Sequence, residues 1–111
     1  MEPSHIKTFC IDIDGTICSF TTNHRYDLAE PDLDMIRMVN DLYDAGHYIK
    51  MHTARGMASG MEFTEITKKQ LKEWGVKYHE LIMNKPMADY YVDDKACLPG
   101  NFKNIYNLWM I

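Results

Sequence analysis

The sequence predicts an α/β domain built on a parallel sheet, and three observations carry that expectation. Short apolar, β-branched runs alternate with stretches whose apolar residues recur at helical spacing. Strand-helix-strand order implies parallel strands joined by right-handed crossovers, with helices covering both faces of the sheet. The polar residues that end the apolar runs then fall on one rim of that sheet, where open α/β folds bind their ligands.

Each element has its own justification. Ile6 to Ile13 is apolar and β-branched enough for a buried strand, and Asp14-Gly15 ends it. Ser19 to Glu30 is polar and irregular, so it reads as a loop. Pro31 suits a first helical turn, and Met35, Ile36, Val39, Leu42 and Tyr43 recur at helical spacing up to a terminating Gly46. "HYIKMHT", His47 to Thr53, is a second strand. Phe63, Ile66, Leu71 and Trp74 mark a second helix ending at Gly75, interrupted only by the polar Gln70. "VKYHELIM" and "ADYYVDD" read as third and fourth strands separated by a turn at Pro86. The segment "NFKNIYNLWMI" is apolar at alternating and helical spacings alike and takes no assignment. Its last residues, Leu108, Trp109, Met110 and Ile111, suit core packing or a contact with a second copy of the chain.

Composition bounds the class. The chain of 111 residues is 46% hydrophobic and 25% charged, which fits a single globular domain over 1–111. "MEPSHIKTF" lacks a signal peptide's basic flank and apolar core, and no apolar run approaches membrane-spanning length. Cys10, Cys18 and Cys97 have no CxxC spacing, so reduced cytoplasmic thiols are expected, with Cys10 and Cys97 as small buried hydrophobes. The net charge of −4 offers nucleic acid no basic footprint.

The chemistry-bearing residues cluster at predicted strand ends. Asp12 and Asp14 end the first, Thr53 ends the second, Lys85 follows the third, and Asp93 and Asp94 end the fourth. Together they place four carboxylates, a hydroxyl and an ammonium on one rim. Each has a blander reading. Asp14-Gly15 could be a hairpin turn, Asp93-Asp94 a solvated loop, Thr53 a helix N-cap and Lys85 a surface residue. Gly15 allows a sharp exit from the strand and lets backbone N–H groups approach an anion. Arg55 either contacts a substrate beyond its phosphate or pairs with a nearby carboxylate. His24, Arg25 and His52 have solvent or structural roles by default.

This ordered set resembles the haloacid dehalogenase (HAD) superfamily of phosphotransferases. Its four motifs are matched by "DIDGT" at Asp12 to Thr16, Thr53 in "HTARG", a lysine, and the acidic pair of "YYVDD". The phrases "DAGHYIKMHTARG" and "NKPMADYYVDDKA" look more narrowly like small, capless HAD phosphatases of the capsule-biosynthesis (BcbF) group. The resemblance implies a minimal three-layer α/β/α, Rossmann-like fold without a cap domain. It implies Asp12 as nucleophile, forming an aspartyl-phosphate, and Asp14 as general acid and then base. Thr53 and the following backbone N–H at Ala54 would hold a phosphate oxygen, beside Gly15 and Thr16, and Lys85 would neutralise phosphate and tie it to Asp12. Lys95 competes for the lysine role, because Pro86 disfavours a helix at Lys85. Carboxylate and carbonyl oxygens of Asp12, Asp14, Asp93 and Asp94 imply Mg²⁺. The implied substrate is a small phosphorylated sugar or sugar derivative. The alternatives are a polynucleotide 3′-phosphatase, which the acidic balance disfavours, a receiver-like signalling domain, and a HAD scaffold that binds without catalysis.

Overall fold

The structure is a computed structural model and describes residues 6–110. Three parallel strands, β1 (Thr8–Asp12), β2 (Tyr48–His52) and β3 (Glu80–Ile82), lie in the order β1-β2-β3. Asp12 pairs in register with His52, and His52 with Ile82, so the three carboxyl ends share one rim. Helix α1 (Leu33–Asp44) joins β1 to β2, and α2 (Thr64–Glu73) joins β2 to β3. This is an α/β, Rossmann-like fold.

Local chemistry explains the elements. Asp32 caps α1 by accepting the Met35 N–H at 3.1 Å, satisfying a donor the first turn leaves free. Past its end, Gly46 takes φ +97°, a conformation that favours glycine. The apolar stripe of α1 is buried at Met35, Ile36, Met38, Val39 and Leu42. Along the strands, Phe9, Ile11, Ile49, Met51 and Leu81 share one parity and belong to the core or pack against it. Burying side chains such as Leu42, Ile49, Met51 and Leu71 contributes about 1.5–3 kcal/mol each, and all four are fully buried.

The described helices gather against the apolar face of the sheet. With strands in the order 1-2-3, every right-handed crossover places its helix on the same face of the sheet. The last segment, unassigned from sequence, is helix α3 (Phe102–Trp109), and it packs there too. Phe102 meets Phe9 edge-to-face, and the Tyr106 hydroxyl donates to Asp41 of α1 at 2.6 Å. Helical periodicity wins because Phe102, Ile105, Tyr106 and Trp109 all reach the core from one side; Ile111 lies outside the described residues. The opposite face, with Thr8, Cys10, Lys50 and Glu80, is polar and partly exposed. Cys10 is therefore exposed, as is Cys97, whereas Cys18 is buried.

"ADYYVDD" is not a strand. Tyr90 and Val92 are 86% and 98% exposed, and β-propensity is realised only where neighbours pack. Tyr91 instead folds back over Lys85 and donates its hydroxyl to the Pro86 carbonyl. None of the described helices is long and apolar enough to cross a membrane.

Candidate active site

The site grows from the sharp turn after β1. The N–H groups of Thr16 and Ile17 both donate to the Ile13 carbonyl, at 3.1 and 3.0 Å, and Gly15 N–H donates to Cys18 at 2.9 Å. Gly15 sits at φ +83° beneath the Phe20 ring. The turn keeps Asp12 on the rim, with Thr16 Oγ1 3.4 Å from its Oδ2, and directs Asp14 across the end of β2.

At that end Thr53 is fully buried and connects the strands. Its N–H donates to Ile82 at 3.0 Å, its carbonyl accepts the Lys85 N–H at 3.1 Å, and its Oγ1 accepts the Arg55 N–H at 3.1 Å. The bond to Thr53 fixes the loop that carries Lys85. Lys85 Nζ then lies 3.4 Å from Asp12 Oδ1 and 4.2 Å over the Tyr91 ring. Lys95 makes no such contact; its backbone N–H donates to Asp93.

Arg55 is the most enclosed charge of the site, its side chain 1% exposed. Its Nε and Nη2 each donate to an Asp14 carboxylate oxygen at 2.9 Å, a fork-to-fork pair. Nη1 donates to Thr67 Oγ1 at 3.0 Å and to Gln70 Oε1 at 2.6 Å. The Tyr26 ring covers the guanidinium at 4.6 Å. Of the two roles the sequence left open for Arg55, the structure shows the carboxylate pair; four of its five side-chain donors are taken, and the residue also borders the cavity. Cys18 Sγ lies 3.6 Å from Asp14 Oδ1, and burial, reinforced by the Asp14 charge, pushes the thiol up to about 12.

These groups border an open cavity of about 260 Å³. Asp12, Asp14, Thr53, Ala54 and Lys85 form its polar end, while Phe20, Tyr26, Met87 and Tyr91 supply the apolar wall. The Ser19–Glu30 loop thus borders the site and is seated at the start of α2 by Tyr26 against Phe63 at 4.8 Å. Asp93 and Asp94 are not brought in. Both are exposed, and the Lys95 N–H, followed by Asp94, holds the Asp93 carboxyl below its usual range.

Asp12 and Asp14 are hard oxygen donors of the kind Mg²⁺ takes. Without Asp93 and Asp94, however, no group of three or more metal-binding side chains forms among the described residues. The side chains as placed do not make a complete Mg²⁺ site. Thr67, Gln70, Tyr26 and Tyr91 were not anticipated from sequence. Only Gln70 left a signal, as the polar break in the apolar stripe of α2.

No protein-family model and no curated protein matches the chain. Among solved structures it is similar to a crystallised target protein from Vibrio cholerae, with TM-score 0.78, 26% identity, and coverage of 94% of this chain and 97% of that one. It is also similar to D,D-heptose 1,7-bisphosphate phosphatase from B. bronchiseptica, crystallised with magnesium and phosphate. There the TM-score is 0.55 and identity 18%, over 96% of this chain and 65% of that one. These likenesses show the fold class: a small α/β fold on a parallel sheet. The Asp12–Lys85 pair stands at its carboxyl rim.

Proposed function

We propose that the protein is a phosphomonoesterase acting through an aspartyl-phosphate. One observation carries the reading: an accessible carboxylate, Asp12, stands beside an ammonium, Lys85, at the polar end of an open cavity. Phosphoryl transfer asks for a positioned nucleophile and for neutralisation of charge on the transferring oxygens. Lys85 supplies the neutralisation, and the backbone N–H of Ala54, just after Thr53, can donate to a phosphate oxygen.

In the first step an Asp12 oxygen bonds to phosphorus while the ester P–O bond breaks, and its electron pair takes a proton from Asp14. In the second, water attacks phosphorus and gives its proton to Asp14. Asp12 and inorganic phosphate are released. Mg²⁺ is the proposed cofactor on the hard-oxygen chemistry of Asp12 and Asp14; when bound it would supply charge stabilisation to the phosphate. The heptose bisphosphate phosphatase likeness favours a sugar phosphate or sugar derivative as substrate, an argument by analogy. The capsule-related resemblance, a cytoplasmic location and pairing with a second copy belong to the same proposal. A net charge of −4 favours a small substrate over a polynucleotide.

The test is hydrolysis of an aryl phosphate by the wild type and by Asp12→Asn, each with Mg²⁺ and with chelator. Turnover that requires both Asp12 and metal supports the reading. Full activity in folded Asp12→Asn overturns it.

A further inference from the structure

We propose that Arg55 is a positioning residue that sets the direction of the Asp14 carboxyl group for proton transfer, an inference resting on the phosphomonoesterase reading. Both Asp14 oxygens accept from the guanidinium at 2.9 Å, so the plane and direction of the carboxylate follow the fork. The fork is itself held by four neighbours. Thr67 and Gln70 of α2 accept from Nη1, the Tyr26 ring stacks at 4.6 Å, and Thr53 Oγ1 accepts the Arg55 N–H. Gln70 also donates from Nε2 to the Tyr26 carbonyl at 2.5 Å, tying the Ser19–Glu30 loop to the same group. A planar, five-donor cation buried among acceptors keeps one geometry.

The role has a consequence that structural support alone lacks. Proton delivery by Asp14 matters most when the departing oxygen is basic, and matters little when it leaves readily as an anion. The experiment compares Arg55→Met, Arg55→Lys and wild type on an aryl phosphate with an acidic leaving group and on a simple alkyl phosphate. The expected result is a kcat loss of about 100-fold for Arg55→Met on the alkyl ester and under about tenfold on the aryl ester. KM stays unchanged for both, and Arg55→Lys recovers part of the loss. Equal losses on both esters, or raised KM with kcat kept, overturn the role while leaving the phosphomonoesterase reading standing. Wild type that hydrolyses neither ester sinks that reading and the role with it. If Arg55→Met does not fold, Thr67→Val loosens the fork by one acceptor and must give the same leaving-group dependence, in smaller measure; an even loss rejects the role.

Discussion

Lys85 reaches Asp12 from a loop, not from a helix. Its Nζ is 3.4 Å from Asp12 Oδ1 while its own N–H is bonded to the Thr53 carbonyl at 3.1 Å. One backbone bond thus registers the lysine against the motif threonine, and the side chain has only to extend across the rim. Tyr91 covers it from the solvent side at 4.2 Å, a cation–π contact worth about 0.5–1 kcal/mol at a part-exposed site.

This geometry separates the two candidate lysines. Lys85→Ala should lower kcat/KM by about 100-fold or more, the usual scale for losing a charge aimed at the transition state. Lys95→Ala should leave turnover near wild type. Steady-state kinetics on an aryl phosphate decides it, and the reverse ranking would reject the assignment.

The proposed metal requirement has a sharper test than chelation. Asp12 and Asp14 alone, one of them clamped by Arg55, leave a divalent ion with too few protein ligands. Chelator is expected to abolish turnover; a ligand role for Asp93, which the structure leaves exposed and outside the site, would show as a rise of about tenfold in the half-saturating Mg²⁺ concentration of Asp93→Asn. An unchanged Mg²⁺ titration in Asp93→Asn rejects Asp93 as a ligand.

Thiol titration reads burial directly. Cys10 and Cys97 are exposed and should react with a disulfide reagent in the native protein, whereas Cys18 should react only on unfolding. The Cys18 thiol is raised from 9.0 to about 12, chiefly by burial. The folded state therefore keeps that proton longer than the unfolded chain does. Its stabilising contribution is complete below about pH 9 and is lost progressively as pH rises from there through about 12. Cys18→Val should flatten this alkaline decline in a series of denaturant melts; an identical decline in the variant would remove Cys18 as its source.

Gly15→Ala tests the turn. At φ +83° an added Cβ is strained by about 1 kcal/mol or more. It would also stand 2.2 Å from Phe20 Cζ, although that ring is 78% exposed and free to swing aside. The expected outcome is a modest loss of stability with a larger loss of kcat, since Asp12 and Asp14 flank the turn. Unchanged kcat would show that the turn does not position them.

By itself, the sequence determined the class and the placement of chemistry along the chain. Apolar periodicity gave α1, α2 and three strands, because those patterns report which face of a local element can be buried. It also set Asp12, Thr53 and Lys85 at strand ends, which parallel pairing then brings to one rim. Tertiary structure decided the rest. Whether Tyr90 and Val92 form a strand depends on a neighbour to pair with, which no local run encodes. The single covered face follows from strand order, and helix over strand for Phe102 to Trp109 follows from which side meets the core. Arg55 read equally well as a substrate contact or an ion pair, because a guanidinium's partner is a matter of three-dimensional approach. Only folding placed Asp14, Thr67 and Gln70 around it, from positions 41 residues before and 12 and 15 residues after it in the chain.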